Sequence, residues 1–520
     1  MKGGGRSGTG ERQNKSGLRG APEIAAWLCL QYTCFDMTTQ SIKSTTSISH
    51  IVEPQNRPLA AIQGWGLFLL TLHLAAFQLP EEMAWSLWPY TLLPTWLGWS
   101  LALLAGTLII PAVSQAILSS LAWLWSVWPG KHALGRPAWF GIATLLAGLL
   151  FWLARLRHLG WGDSYLLSVV LSHPDLETRV IYNWQAPLTV FLHQRLWQFV
   201  ADPWLGWPVE TVYALVSIIC GMISIYVLLI FLSQLGCNPV ETAVLAGLML
   251  SIGSMQLFFG YVENYTVISL GIIVTLFLAW RALPGKIQPV WPALALSLTN
   301  GFHPSTVFLW PGMGLLVWLC WRRGYVSLAR SIGQLALPPL FVAGAIFVLM
   351  QSGGHGLEAL MGVDRPGGGD GIWFVPLFET TTRWQHYTMF SAAHLLDWSN
   401  EHLLISPFGL PLIVMALLTI RRFQLTVFER TVDRDYAYFL GASAGSYLLL
   451  TWLWNPDYGG RKDWDLFAPS AFVYTLLAGY LLVRVLPDRE KLSQAGLFIT
   501  VGSLLHTGAW IFANTQLLSQ

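Results

Sequence analysis

The sequence predicts an all-α membrane protein that crosses the bilayer many times, with about 11–13 transmembrane helices. The 520 residues are 54% hydrophobic and only 11% charged, whereas soluble proteins average about 25% charged residues. One aqueous core cannot bury that much apolar surface. The chain also contains about thirteen apolar runs close to the ~20 residues that a span needs. They cover residues 61–79, 91–111, 138–155, 208–232, 241–258, 264–281, 288–302, 304–321, 331–350, 404–420, 436–454, 466–485 and 494–514.

The apolar runs divide the chain into three regions. Residues 1–57 are rich in Gly, Ser, Thr, Lys and Arg, a composition that predicts a disordered segment. Residues 58–137 are predicted to form two additional transmembrane helices, and residues 138–520 the main membrane module. A further apolar run at residues 115–128 is predicted either to extend the second span or to lie flat in the interface.

The loop charges predict the orientation of the spans. One set of loops is short and basic, and includes the pairs Arg322/Arg323 and Arg421/Arg422. Because cytoplasmic loops are enriched in Lys and Arg, this set and the N-terminus are predicted to be cytoplasmic. The opposite loops carry most of the carboxylates and all of the polar motifs. The sequence therefore predicts an integral multi-pass protein with an extracytoplasmic site.

Composition also excludes several classes of partner. The net charge is +2, and no basic stripe or nucleic-acid motif is present, so no nucleic-acid partner is expected. The five cysteines lack the spacing of a metal site, and we expect neither a metal nor a cofactor. Membrane lipids are the expected surroundings of the spans.

Asp163 is the first candidate site residue, in the segment Gly160-Trp161-Gly162-Asp163-Ser164-Tyr165 that follows the span at 138–155. A carboxylate at the exit of a span is typically solvated surface or part of a polar site. It is able to cap the helix that Ser164 begins. As a general base, it would accept the proton of an attacking hydroxyl.

Residues 182–200 are predicted to form an amphipathic helix that lies on the membrane, because apolar residues recur there at a spacing of three to four. Trp184 is its candidate binding residue. A re-entrant helix that only packs against its neighbours is the alternative.

Two tight outer turns supply further candidates. Glu263 lies in Gly260-Tyr261-Val262-Glu263-Asn264-Tyr265, and His303 follows Asn300-Gly301-Phe302 and precedes Pro304. Protonated, His303 would bind a phosphate; neutral, it would hydrogen-bond a sugar hydroxyl. A purely structural role is the alternative for both residues.

The densest charged cluster precedes the span at 466–485. Arg461 and Lys462 offer donors for phosphate oxygens, while Asp463 and Asp465 would orient these bases or bind sugar hydroxyls. The alternative is an interfacial anchor. The glycine-rich outer loop at 351–403 lacks a Walker motif, and a mobile lid is its predicted role.

An acidic residue just after a span, followed by a Pro-Leu helix start (Pro187-Leu188), resembles the first external loop of the GT-C glycosyltransferases. The resemblance covers about residues 138–515 and is to the protein-O-mannosyltransferase and aminoarabinose-transferase type. It implies a GT-C-like bundle with a horizontal amphipathic helix, in which Asp163 is the catalytic base. Two features depart from that pattern: two extra spans precede residue 138, and the usual acidic pair of the loop is here Asp163-Ser164.

The resemblance implies transfer of a sugar from a polyprenyl-phosphate donor to a hydroxyl of a lipid, glycan or protein acceptor. The expected reaction inverts the anomeric carbon without a metal. The rival hypothesis is a transporter or a flippase for lipid-linked sugars. Transporters place charges near the bilayer midplane, whereas the predicted spans here are almost free of charge. The sequence therefore favours an enzyme.

Overall fold

The computed structural model describes residues 52–127, 135–362 and 372–516. They form α-helices and short 3₁₀ or π turns, with one isolated β-bridge between Phe374 and Trp454 and no strand among the described residues. The helices are α1 Val52–Ala75, α2 Trp88–Thr91, α3 Thr95–Thr107, α4 Pro111–Val127, α5 Arg136–Leu153, α6 Ser164–Leu171, α7 Pro187–Leu196, α8 Asp202–Leu205, α9 Val209–Leu235, α10 Pro239–Leu250, α11 Tyr265–Ala282, α12 Val290–Phe302, α13 Trp310–Arg322, α14 Leu328–Ser352, α15 Leu357–Met361, α16 Ala392–Ile405, α17 Gly409–Phe423, α18 Thr431–Leu453, α19 Trp464–Val485 and α20 Arg489–Gln516.

Eight helical segments of the described chain are long and apolar enough to cross a membrane, or up to ten if each of two bent helix pairs counts as one span. The predicted all-α multi-pass architecture is therefore confirmed, although the described residues contain fewer candidate spans than the predicted 11–13. Several apolar runs counted from the sequence form shorter elements. The run at 241–258, for example, is α10 followed by the 3₁₀ turn Gly253–Phe258.

Both bent pairs break next to a proline. Helices α3 and α4 meet at 92°, with Pro111 at the start of α4, and α16 and α17 meet at 96° across Pro407. Proline lacks the N–H that would continue the helix and clashes with the preceding turn. The run at 115–128 therefore does not extend the second span in a straight line.

Helix α19 forms the centre of the bundle, and its apolar stretch is completely buried. Helices α10, α11, α17 and α18 pack around it. The charged cluster at 461–465 leads into this helix, and Asp465 already lies in its first turn, so packing of the helix fixes the position of those charges.

The predicted N-terminal boundary differs from the structure. Helix α1 begins at Val52, before residue 58, and residues 1–51 of the predicted disordered segment lie outside the described residues. The additional helices belong to the same compact unit as the rest of residues 51–520. Inside that unit, the buried His73 of α1 contacts His506 of α20 through Nε2 and Nδ1 at 2.9 Å.

The predicted surface helix at 182–200 begins later in the structure. Helix α7 starts at Pro187 and continues as the π turn Trp197–Ala201. Proline favours the first helical position because its missing N–H would have no partner there. Residues 182–186 therefore form a non-helical lead-in that includes a turn, and Trp184 lies outside the helix that was predicted to carry it.

Candidate active site

Three segments that are remote in sequence meet at one end of the bundle. The Gly162 amide donates a hydrogen bond to the Lys462 carbonyl at 2.8 Å. The Asp163 amide donates to Oε1 of Glu263, and the Leu156 amide donates to the Phe259 carbonyl at 2.8 Å. These bonds join the loop before α6, the turn before α11 and the start of α19. Of the predicted site residues, Asp163, Glu263, Asp463 and Asp465 are brought together.

Asp163 stands before the first residue of α6, but its side chain makes no capping hydrogen bond. The carboxylate instead accepts a hydrogen bond from the Tyr458 hydroxyl at 3.1 Å. Burial raises the pKa of the Asp163 carboxyl, and the Tyr458 hydrogen bond opposes that shift. The capping alternative is therefore not what the structure contains. Asp163 is a largely desolvated carboxyl with one hydroxyl partner.

Glu263 is buried directly behind Asp163. Its two oxygens accept the backbone amides of Asp163 and, at 3.0 Å, Asn264. No ion pair with Lys or Arg is recorded for it in the described part of the chain. Burial, followed by the nearby charges of Asp465 and Asp163, raises the pKa of Glu263 well above its usual range. Glu263 thus fixes the backbone at Asp163, and its buried surroundings favour the protonated carboxyl more than water does.

Gly162 allows this close approach. Its backbone is left-handed (φ +49°), and a Cβ built there would lie 2.5 Å from Oε1 of Glu263 and 3.0 Å from Oδ2 of Asp465. That Asp465 oxygen is buried and has no hydrogen-bond partner among the described residues. Only a residue without a Cβ adopts this conformation beside two carboxylates at low cost.

Asp463 stands before α19 and likewise makes no side-chain cap. Its Oδ2 accepts the Tyr458 amide at 2.7 Å. Burial and then the charge of Asp465 raise the pKa of Asp463 well above its usual range. Tyr458 therefore links Asp163, through its hydroxyl, to Asp463, through its amide.

A cavity of about 310 Å³ opens beside these groups. Its lining combines carboxylates, amide side chains and aromatic rings, the groups that suit a polyhydroxylated ligand. The lining residues are Asp163, Leu166, Gln185, Asn264, Tyr265, His303, Pro304, Trp454, Asn455, Asp457, Tyr458, Asp463 and Leu466. No Lys or Arg of the described part of the chain is among them.

His303 lies at the break between α12 and the 3₁₀ turn Pro304–Leu309. Its Nδ1 accepts the Ser305 amide at 3.2 Å, and its ring lies 4.9 Å from that of Tyr265. Burial lowers the pKa of His303 to about 4. Of the two roles predicted for this residue, the geometry favours the neutral hydrogen-bonding one over phosphate binding by a protonated ring.

Five predicted residues do not line the cavity: Glu263 and Asp465, which are buried, and Arg461, Lys462 and Trp184. Arg461 forms an ion pair with Glu81, and its guanidinium lies 5.1 Å from the Trp88 ring centroid. The Lys462 side chain is exposed. The indole N–H of Trp184 donates to the His355 carbonyl at 3.0 Å. Arg461 thus joins the site segment to the region between α1 and α2.

The sequence analysis did not select Tyr458 as a site residue. It belongs to the segment Asn455–Asp465 that drew attention for its charges, but a tyrosine near a membrane surface is common and gives no local signal. Its role depends on contact with Asp163, which lies 295 positions away in sequence.

The outer loop at 351–403 is less irregular than predicted. Helix α16 begins within it at Ala392. The Val375 amide donates to the Leu453 carbonyl at 2.8 Å, and His386 Nε2 contacts the Asp457 carbonyl at 2.9 Å. The described part of the loop therefore packs beside the cavity. The glycines at 367–369 and Asp370 lie outside the described residues.

The described residues contain no group of three or more His, Cys, Asp or Glu side chains arranged to hold a metal ion.

Neither a family model nor a curated protein matches the chain. Among solved structures, the chain is similar to the crystal structure of ArnT from Cupriavidus metallidurans bound to undecaprenyl phosphate, with 11% sequence identity and a TM-score of 0.42. The match covers 72% of this chain and 78% of that one. By its own helices, the chain is an all-α multi-pass membrane protein with a carboxylate cluster beside a polar cavity.

Proposed function

We propose that this protein is a membrane glycosyltransferase that uses a polyprenyl-phosphate-linked sugar as donor and acts on an acceptor hydroxyl at the extracytoplasmic face. One observation carries the proposal. The Asp163 carboxylate is free of any capping role and lies on the wall of a cavity lined by acids, amides and aromatic rings.

In the proposed reaction, the acceptor oxygen attacks the anomeric carbon of the donor while Asp163 takes the hydroxyl proton. The bond from that carbon to the phosphate oxygen breaks, and the phosphate leaves with the electron pair. Asp163 ends the step protonated. Its raised pKa suits this role, because a base is most effective when its pKa lies near the working pH. The Tyr458 hydroxyl orients the carboxylate.

The leaving phosphate needs positive charge, which the lining formed by the described residues does not supply. We assign this role to Lys462, whose side chain is exposed and which is next in sequence to Asp463 of the cavity wall. The raised pKa values of Glu263 and Asp463 favour their neutral forms. Neutral acids beside the cavity repel an anionic donor less than ionised ones would.

A vesicle assay tests the function. Membranes that contain the protein are incubated with radiolabelled polyprenyl-phosphate sugars and extracted for products. We expect covalent transfer of label that depends on the protein. Label that crosses the bilayer while still attached to its lipid would instead support the rival flippase.

The Tyr458→Phe variant is expected to shift the acidic limb of the pH–rate profile to higher pH. The phenol hydrogen bond favours the ionised Asp163 carboxylate and so lowers its pKa. Without that bond the pKa rises further, and a higher pH is needed to ionise the base. The profile of kcat/KM against pH measures this limb. An unchanged limb would mean that Asp163 is not the titrating base.

The proposed orientation predicts that a cysteine placed at position 462 reacts with a membrane-impermeant maleimide in intact cells, whereas one at position 422 does not. Positive loops favour the cytoplasm, and Arg422 ends α17 in a basic turn. The exposed native Cys237 is first replaced by serine. Reaction at position 422 but not at 462 would invert the topology and remove the extracytoplasmic site.

A further inference from the structure

A second cavity, of about 140 Å³, lies behind the turn that carries Glu263. Its polar lining residues are Arg155, Arg157, His158, Glu210 and Thr211. It shares no lining residue with the acidic cavity, which uses Asn264 and Tyr265 from the same region of the chain. We call this second cavity the basic pocket.

The basic pocket has an excess of positive charge. Neither Arg155 nor Arg157 forms a recorded ion pair with a carboxylate of the described chain. The Arg155 guanidinium donates to the Trp152 carbonyl at 3.1 Å and lies 4.1 Å from the Trp152 ring centroid. Partial burial and then the charge of Arg157 lower the pKa of Arg155. Two like charges are thus held near each other, and neither forms an ion pair with a carboxylate of the described chain.

The other polar groups of the basic pocket offset only part of this charge. Glu210 is the one carboxylate among the lining residues, against two guanidinium groups, and it accepts a hydrogen bond from the Ser168 hydroxyl. His158 Nδ1 accepts the Gly160 amide at 3.2 Å, and burial lowers the pKa of His158, so its neutral form is favoured. The net charge of the pocket at neutral pH is therefore positive.

The position of the basic pocket relates it to the membrane. Arg155 follows helix α5, a candidate span that ends at Leu153. Leu145, Leu149 and Leu153 recur every four residues on this helix and are all exposed, so they form one apolar face. A lipid chain on that face would have its headgroup at the level of Arg155.

We propose that the basic pocket binds the phosphate of a phosphate-bearing anion, with Arg155 and Arg157 as its ligands. Two sources share this chemistry: the headgroup of a membrane lipid and free phosphate. Guanidinium groups suit either source, because their N–H forks match phosphate oxygens. The site is separate from the proposed sugar cavity and does not depend on the proposed function.

Native mass spectrometry of the purified full-length protein tests this site with three probes: phosphatidic acid, phosphatidylcholine and inorganic phosphate. We expect tighter one-to-one binding of phosphatidic acid than of phosphatidylcholine. The Arg157→Gln variant should weaken binding at least about tenfold, and Arg155→Lys should also weaken it because the fork is lost. If inorganic phosphate at a comparable concentration displaces phosphatidic acid, free phosphate is the ligand. If it does not displace the lipid, the lipid headgroup is the ligand.

Arg322→Gln is the matched control, because Arg322 also ends a span and lies over a tryptophan, with 4.8 Å to the Trp318 ring centroid. It should bind like the wild type. Thermal melting confirms that each variant is folded, and Arg157 is exposed, so its replacement should leave the fold intact. Equal affinity of the wild type and the folded Arg157→Gln and Arg155→Lys variants, or equal affinity for the two lipids, would overturn the proposal.

Discussion

Replacement of Asp163 by Asn is expected to lower the turnover for sugar transfer about 10²- to 10⁴-fold, the usual effect of losing a general base. Asn keeps a side-chain oxygen that accepts the Tyr458 hydroxyl, and it keeps the size of the side chain. It cannot take up the acceptor proton. Turnover is measured with radiolabelled lipid-linked sugar under donor saturation, so that a change in binding does not mask the chemical step.

The same Asp163→Asn replacement should not lower the stability of the protein, and it should raise it if it has an effect. Burial raises the pKa of Asp163 in the folded state, so the ionised carboxyl opposes folding as the pH rises through the unfolded-state value. The neutral Asn avoids this cost, and we expect a melting temperature at neutral pH equal to or above that of the wild type. A less active but equally stable variant would separate catalysis from folding.

Asp175→Asn is the matched control for this measurement. Asp175 lies just after α6, is exposed and accepts a hydrogen bond from the Thr178 hydroxyl at 2.8 Å, but it does not line the cavity. Its replacement should leave turnover near the wild-type value. Wild-type turnover in Asp163→Asn as well would remove Asp163 from the mechanism.

Replacement of Gly162 by Ala is expected to cause the largest loss of stability at the site, together with loss of activity. A non-glycine residue in a left-handed conformation costs about 1–2 kcal/mol. The added methyl group would also lie 2.5 Å from a Glu263 oxygen that holds the Asp163 amide. Relief of that clash requires Glu263 to move and Asp163 to follow. Thermal unfolding and turnover of the purified variant measure both effects.

Gly206→Ala isolates the backbone contribution. Gly206 is also left-handed (φ +61°), but a Cβ there meets no atom within 4 Å. We expect this variant to lose only the conformational cost of about 1–2 kcal/mol and to keep its turnover. If the Gly162→Ala and Gly206→Ala variants were equally stable and equally active, the close packing of Gly162 against the carboxylates would contribute neither to stability nor to activity.

The sequence alone determined the membrane class and several candidate site residues. Apolar runs long enough to cross a bilayer are a local property, because each span must satisfy its own backbone hydrogen bonds. The same holds for Asp163, since a carboxylate that directly follows a span is visible without any knowledge of packing. Glu263, Asp463 and Asp465 were also selected locally, as acids at the ends of spans.

Only the tertiary structure decided which of these residues meet and which partners they take. Tyr458 contacts Asp163 across 295 positions, and Gly162 packs against Glu263 and Asp465. Arg461, predicted as a phosphate ligand, pairs with Glu81 instead. Local sequence patterns show at which position, relative to the ends of the spans, a charged residue lies. Its partner depends on how distant helices pack, and several acids compete for each base once the bundle forms.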